Sequence, residues 1–490
     1  MISRRRFLEG AAMVSAASAL QPWQTVKALA QAGNLPDPSH APFDHVVVVM
    51  MENRSFDHFL GWLPGANGKQ EGLSYLDTST PSKRYPTYQL APDYQGCGYG
   101  DPNHSWQGGL KQLNGGKVDG FLQTSAPDDT FPVGYYTEES VPVLGALARN
   151  YTVSDNYFCA ILAETYPNRF YQHAAATDRD TNGGGPTTST LPTIWDRLKT
   201  AGLSGGYYSV DAPFTLLWGT AHLDITRPFP AFLADCAAGQ LPNVSFVDPK
   251  FLDETSGTSL DDHPHADIRG GEWFLSQVYQ AVRNSPNWDR TVMLINYDEW
   301  GGFYDHVVPP KVVDTTVRPA SWGAHPDYRQ LGFRVPNVVI SPFSRKGAIV
   351  HNDGRGPFEH TSALKMIEWR WGLEPLTDRD KNARNLAEML DFKLARTDVP
   401  AIPTQALPPP MVCSVNGAAS HRPDPIPAGD DGSGHGDKPG GGHSEGTLGA
   451  SNPLPDTSAP SGAIPALASV AGLAGAAAAA ARLRRSEPSG

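Results

Sequence analysis

Basic residues are in short supply in this sequence: 39 Lys and Arg stand against 51 Asp and Glu over 490 residues, a formal net charge of −12. Nucleic acids and anionic membrane surfaces are held by clustered Lys and Arg, so no nucleic-acid partner is expected. An anionic small molecule would need locally placed cations or a metal. Cysteine is scarcer still. The four residues, Cys97, Cys159, Cys236 and Cys413, match none of the paired zinc spacings. One or two disulfides are compatible with an exported chain, and the sequence does not choose among the pairings.

Bulky apolar residues are almost missing from residues 416–462, which are rich in Gly, Pro, Ser and Asp. That stretch cannot build a core and reads as a flexible linker. Residues 463–490 form a small-residue apolar segment closed by Arg482, Arg484 and Arg485, with Leu454-Pro455-Asp456-Thr457-Ser458 upstream. The arrangement resembles a cell-wall sorting signal, which implies a sortase and cell-wall attachment, although Ser458 stands where such signals carry Gly. A marginal transmembrane anchor and a disordered tail are the competing readings. At the other end, Ser3-Arg4-Arg5-Arg6-Phe7-Leu8 precedes a mildly apolar stretch and the small residues Ala28 to Ala32. Residues 1–32 thus resemble a twin-arginine signal peptide, and the protein is expected outside the cytoplasm, secreted or retained at the cell surface.

Between these flanks the chain is rich in order. With 40% apolar residues it can bury a substantial core. Over residues 42–410, runs of strand length (45–51, 151–154, 206–210, 244–247, 292–297, 337–340) alternate with segments of helical periodicity (194–201, 272–284, 361–371). The alternation predicts an α/β fold with a mainly parallel sheet and helices on both faces. Ligands of such sheets collect beyond the carboxyl ends of the strands.

Two strand ends are chemically overloaded. The stretch VVVVMMENRSFDHFLGWL, residues 46–63, passes from β-branched residues straight into Glu52, Asn53, Arg54, Ser55, Asp57 and His58. The strand at 292–297 likewise runs into Asp298 and Glu299, followed by WGGFYDHVVPP. A solvated strand terminus explains one such pair well. Two pairs of adjacent oxygen donors, each with a nearby histidine (His58, His306), point instead to a shared hard cation, Mg²⁺, Mn²⁺ or Ca²⁺. Ser55 reads as a helix cap.

A nucleophile is suggested by CAILAETYPNRFYQHAAATD, where Thr165 lies two residues before Pro167. Proline favours a first helical turn, which places a helix over 168–176 with its amino end toward Thr165, where an anion would be stabilised. For Thr165 the blander alternative is an N-cap. Among the fifteen histidines, His104 in DPNHSW and His263 in DDHPHAD, and after them His306, lie in polar-aromatic loops suited to binding or protonating an oxyanion.

ENRSFDHFLGWL, HSW, ETYPNRFY, DDHPHAD, YDEWGGFYDHVVPP and GFRVPNVVISPFSR follow one another in that order. Together they resemble the bacterial phosphoesterase family of non-haemolytic-type phospholipases C and related acid phosphatases, over roughly residues 43–375. The resemblance implies an alkaline-phosphatase-like fold and one divalent metal ion held by Glu52, Asn53, Thr165, Asp298 and Glu299. It implies Thr165 as the nucleophile of a covalent phospho-enzyme, and Asn53, His104 and His263 in contact with the phosphoryl group or leaving group. Trp300 stands where His is common. The expected activity is hydrolysis of phosphatidylcholine-type phosphodiesters by a monomer; the alternatives are a broad-specificity phosphomonoesterase and a non-catalytic wall-binding protein.

Overall fold

The computed structural model describes residues 35–78, 82–252, 256–316, 326–413 and 422–426. The expected signal (1–32), linker (416–462) and apolar segment (463–490) lie outside the described residues. Chain contacts separate a unit that ends at Ile426 from a second, Pro427–Gly490, which is also outside them.

A six-stranded sheet organises the first unit. Its strands are β1 (His45–Met51), β2 (Gly205–Ser209), β3 (Thr226–Pro228), β4 (Val244–Asp248), β5 (Thr291–Tyr297) and β6 (Asn337–Ile340). They lie in the spatial order β6-β5-β1-β4-β2-β3, parallel at every pairing except β5 with β6. The α/β, mainly parallel architecture is therefore as expected. β1 runs through the middle because its residues Val46 to Met51 are all buried, as continuous β-branched runs demand. Each such side chain removed from water contributes roughly 1.5–3 kcal/mol.

The helices that follow are α1 (Phe56–Leu60), α2 (Trp106–Leu113), α3 (Pro142–Asn150), α4 (Thr165–Ala174), α5 (Ile194–Thr200), α6 (Phe229–Ala238), α7 (Ile268–Arg283) and α8 (Thr361–Trp371). They pack in two groups, α3 and α6 on α7, and α5 and α8 on α4. Burial of every residue in β4 and β5 requires cover on both faces of the sheet.

Two expectations need correction. The strand foreseen at 151–154 is only Val153–Ser154, and it pairs with Ile349–Val350 outside the main sheet. The helix foreseen over 168–176 begins three residues earlier, at Thr165, because Pro167 sits inside the first turn rather than ahead of it. Thr165 is thus the first helical residue, and Glu164 occupies the N-cap position without a side-chain cap.

Candidate active site

Register brings the acidic strand ends together. β1 and β5 are paired with Met51 opposite Tyr297, and β1 and β4 with Val49 opposite Val247. The next residues out, Glu52, Asp298 and Asp248, must then share one edge of the sheet. The ladder continues one step beyond the strands, since Asp298 N donates to Met51 O at 3.0 Å. The chain then turns sharply at Asn53, whose φ of 55° is a conformation asparagine tolerates better than most residues. Its N–H donates to Asp298 Oδ1 at 2.9 Å. Gly301 lies so close that an added Cβ would sit 2.0 Å from the Asn53 carbonyl oxygen.

The PNR segment of α4 positions Thr165, the residue expected as nucleophile. Pro167 fixes the first turn, and Asn168 ties the preceding loop to it, accepting from Ile161 N at 3.0 Å and donating to Ala163 O at 2.7 Å. Thr165 Oγ1 is thereby held 3.4 Å from Asn53 Oδ1 and 3.5 Å from Glu52 Oε2. One turn on, Arg169 bonds Glu52 Oε1 at 2.8 Å, Asp248 Oδ1 at 3.3 Å and Met50 O at 3.2 Å, with Asp298 Oδ2 3.9 Å away. Burial pulls this guanidinium's pKa down, but Glu52, Asp248 and Asp298 outweigh it, and the net direction is upward. Tyr207 donates its hydroxyl to the other oxygen of Asp248.

One guanidinium faces three buried carboxylates, Glu52, Asp248 and Asp298, and Glu299 is buried next to the last of them in the chain. Asp298 Oδ2, Glu299 Oε1 and Asn53 Nδ2 are buried without a hydrogen-bond partner among the described residues. Burial drives the pKa of Asp298 upward and that of Glu299 well upward, each helped or opposed by its neighbours only in second place. Unpaired buried oxygens of this kind call for a ligand. A hard divalent cation fits, because the donors are carboxylate, amide and hydroxyl oxygens with no thiolate among them.

Two imidazoles stand at this pocket. His104 and His263 have ring centroids 6.0 Å apart, and their nitrogens lie with a carboxylate oxygen of Asp101 within 4.8 Å of one another. His104 Nδ1 donates to Pro102 O at 2.8 Å and His263 Nδ1 to Pro264 O at 3.0 Å, so in each ring Nε2 is the nitrogen that exchanges a proton. Burial disfavours the charged form of His104, yet Glu299, Asp101 and Glu164 lift its pKa to about 10. Gly302 makes this proximity possible, since a Cβ there would meet the Asn103 carbonyl oxygen at 2.8 Å.

The other sequence candidates are placed elsewhere. His306 bonds Asp57 Oδ2 through Nδ1 at 2.5 Å and Asn67 Oδ1 through Nε2 at 3.1 Å, in a cluster with Arg334 and Asp305. His58 is buried against Phe303, donates to Gly134 O at 2.8 Å and accepts from Arg54 at 3.0 Å. Neither histidine is brought to the acidic pocket by these bonds, so their nearness in sequence to the acidic pairs misled. Ser55 caps α1, accepting from His58 N at 3.3 Å. Trp300 is fully buried and donates to Gln112 Oε1 at 2.8 Å, which braces α2 beneath His104.

Sequence reasoning missed Arg169, Asp248 and His360. His360 bonds the backbone oxygen of Asp298 through Nε2 at 2.6 Å, and burial depresses its pKa to about 3, so it holds the end of β5 as a neutral ring. Asp248 was within reach, because it ends a buried strand.

The chain belongs to the Phosphoesterase family, whose model matches residues 43–374. It is a phosphoric ester hydrolase by that membership. It is similar to "Non-specific phospholipase C1" of Arabidopsis thaliana, at 33% identity over 379 residues that cover 70% of this chain and 70% of the relative. It is also similar to "Phospholipase C B" of Mycobacterium tuberculosis, at 32% identity over 439 residues covering 76% and 82%. Among solved structures, a protein in the alkaline phosphatase superfamily from Vibrio parahaemolyticus matches at 11% identity and a TM-score of 0.34, over 72% of this chain and 71% of that one.

Proposed function

We propose that this phosphoesterase is a metal-dependent, phospholipase C-like enzyme that cleaves phosphatidylcholine-type phosphodiesters through a phosphothreonine at Thr165. The observation that carries the reading is the position of Thr165 Oγ1, 3.4–3.5 Å from two oxygen donors, beside buried carboxylate oxygens with no hydrogen-bond partner among the described residues. Relatives named as phospholipases C support the substrate class. The N-terminal twin-arginine pattern supports export, with action outside the cytoplasm or at the cell surface.

Glu52, Asn53, Thr165, Asp298 and Glu299 would hold one divalent ion, which when bound supplies a Lewis acid for the phosphoryl oxygens and lowers the pKa of the hydroxyl. Thr165 Oγ1, its proton passed to solvent beforehand, attacks phosphorus, forming a bond to it as the bond to the diacylglycerol oxygen breaks; the Oγ1–phosphorus bond breaks in turn when water attacks. His104 or His263 gives a proton from Nε2 to the departing alcohol and then takes one from the water that releases phosphocholine. Arg169 holds Glu52 and Asp248 in place while charge moves, so the chain contributes mainly position and field.

Turnover of p-nitrophenyl phosphorylcholine and of p-nitrophenyl phosphate, with and without chelator, tests the proposal. The diester is expected to be preferred and the chelator to abolish activity. Thr165→Val is expected to lose on the order of 10³-fold or more in kcat at an unchanged unfolding midpoint. A Thr165→Val protein that still turns over ends the reading; preference for the monoester transfers it to the phosphomonoesterase alternative.

A further inference from the structure

Cys97 and Cys413 are joined by a disulfide across a sequence separation of 316. The bond ends a run, residues 401–413, in which Ile402 and Cys413 alone are buried. A segment that buries so little does not offset the entropy of its own ordering. It is held instead at its end. Met411 O accepts from Gln95 Nε2 at 2.9 Å, and the same amide donates to His265 O at 3.2 Å. Gln95 O accepts from His265 N at 3.0 Å, and His265 Nε2 bonds Tyr99 O at 3.1 Å. Gly257 meets the strap so closely that an added Cβ would lie 1.9 Å from Met411 O.

These contacts converge on the two loops that carry the imidazoles. Cys97 precedes His104 by seven residues and His265 follows His263 by two, and neither 95–104 nor 258–267 contains a helix or strand to fix it. We propose that the Cys97–Cys413 bond makes residues 401–413 a strap that positions His104 and His263 over the pocket, confining full turnover to the oxidised protein. The inference rests on the roles given to these imidazoles under the proposed function. A dithiol such as dithiothreitol opens the strap by passing two electrons and two protons to the two sulfurs, leaving two thiols, while the reductant closes to its own cyclic disulfide. Cys159 and Cys236 are free, so this is the one disulfide the reductant can open.

The full chain serves for the test, as oxidised and dithiothreitol-treated wild type, the Cys97→Ser/Cys413→Ser variant and Gln95→Met. Two quantities are read: kcat and KM on p-nitrophenyl phosphorylcholine, and amide hydrogen exchange by segment. Reduction, the double substitution and Gln95→Met should each lower kcat about tenfold, the scale of a small misplacement of catalytic groups, with KM little changed. Reoxidation should restore the wild type and leave the double variant unchanged. Exchange should quicken in 95–104 and 258–267 while β1 and β5 stay protected. Unchanged kcat in the open form overturns the proposal, and so does exchange that rises equally throughout the chain, since the bond is then a general staple. If the oxidised wild type fails to cleave the diester, the proposed function fails on its own, and the exchange pattern still decides for or against the strap.

Discussion

Two buried clusters in this protein are built from the same residue types and solve the same problem differently. Around Arg334, Asp57 and Asp305 have all their oxygens engaged. Arg334 bonds Asp57 Oδ1 at 3.1 Å and Asp305 at 2.9 and 3.2 Å, and Lys69 N, His306 N and Val307 N take further oxygens. Around Arg169, the guanidinium is shared among Glu52, Asp248 and Asp298, and Asp298 Oδ2 and the neighbouring Glu299 Oε1 have no hydrogen-bond partner among the described residues. Both clusters contain acids with a histidine close by, and in the first of them Asp57, Asp305 and His306 even bring ligand atoms within 4.8 Å of one another. What separates structure from chemistry is the accounting of hydrogen bonds. A satisfied cluster fixes loops; an unsatisfied one is shaped for something that arrives later.

The sharpest way to break that comparison is to remove the guanidinium from the satisfied cluster. Arg334→Met strands Asp57 and Asp305 as buried like charges, the situation that already pushes Asp305 up to about 6 through burial, with Asp57 as a secondary cause. A stability loss of about 3–5 kcal/mol is expected in urea unfolding, as for other broken buried pairs. A loss under about 1 kcal/mol would mean the cluster is not the structural one.

The opposite pattern is expected from Glu299→Gln. It removes a carboxyl group whose charged form burial strongly disfavours, with His104 as its main favourable neighbour, so metal-free stability should hold or rise, while kcat falls on the order of 10²-fold. Chelator sharpens the contrast further. Wild type in divalent salt at a hundredfold excess over its dissociation constant should lose about 2.7 kcal/mol of stability on chelation, and Glu299→Gln much less. Equal chelator sensitivity in the two proteins would place the ion elsewhere.

The difference between the clusters was only half legible in the sequence. β1, β6 and α8 lie where hydrophobic pattern puts them, because continuous aliphatic runs and clear helical periodicity leave little choice. The pairing of two acidic strand ends follows from parallel topology, which sends every strand's carboxyl end to the same edge. Pattern says nothing of side-chain partners, however. His58 and His306 sit beside the acidic pairs in sequence and turn away from them in space, one to Gly134 and Arg54, the other to Asp57. Arg169 looks like any basic residue on a helix until the carboxylates of three strands close around it. The Cys97–Cys413 pairing depends on how a run without secondary structure returns to the site, which no local signal encodes.

A third group of buried acids extends the comparison from cation and guanidinium to the proton. Asp262, beside His263, accepts from Tyr297 OH at 2.6 Å, and burial raises its pKa to about 7. Glu272 on α7 reaches across to the first turn of α3, which lacks a cap of its own, and accepts from Val143 N and Leu144 N. Burial, and secondarily Asp262, raises it to about 8. Both folded pKa values lie above the ordinary carboxylate range, so the folded state keeps protons that the unfolded chain has released. Their contribution is then fully present below about pH 4 and is lost as pH rises toward 8. Each pKa unit corresponds to about 1.4 kcal/mol, so the decline should be visible in urea midpoints between pH 5 and 8. Glu272→Gln imitates the protonated acid and keeps an oxygen for the α3 cap. It should flatten that decline and gain about 1 kcal/mol on wild type at pH 8. A variant whose midpoint follows the wild-type curve unchanged would show that Glu272 is already ionised at neutral pH, carried by the two α3 amides rather than by a proton.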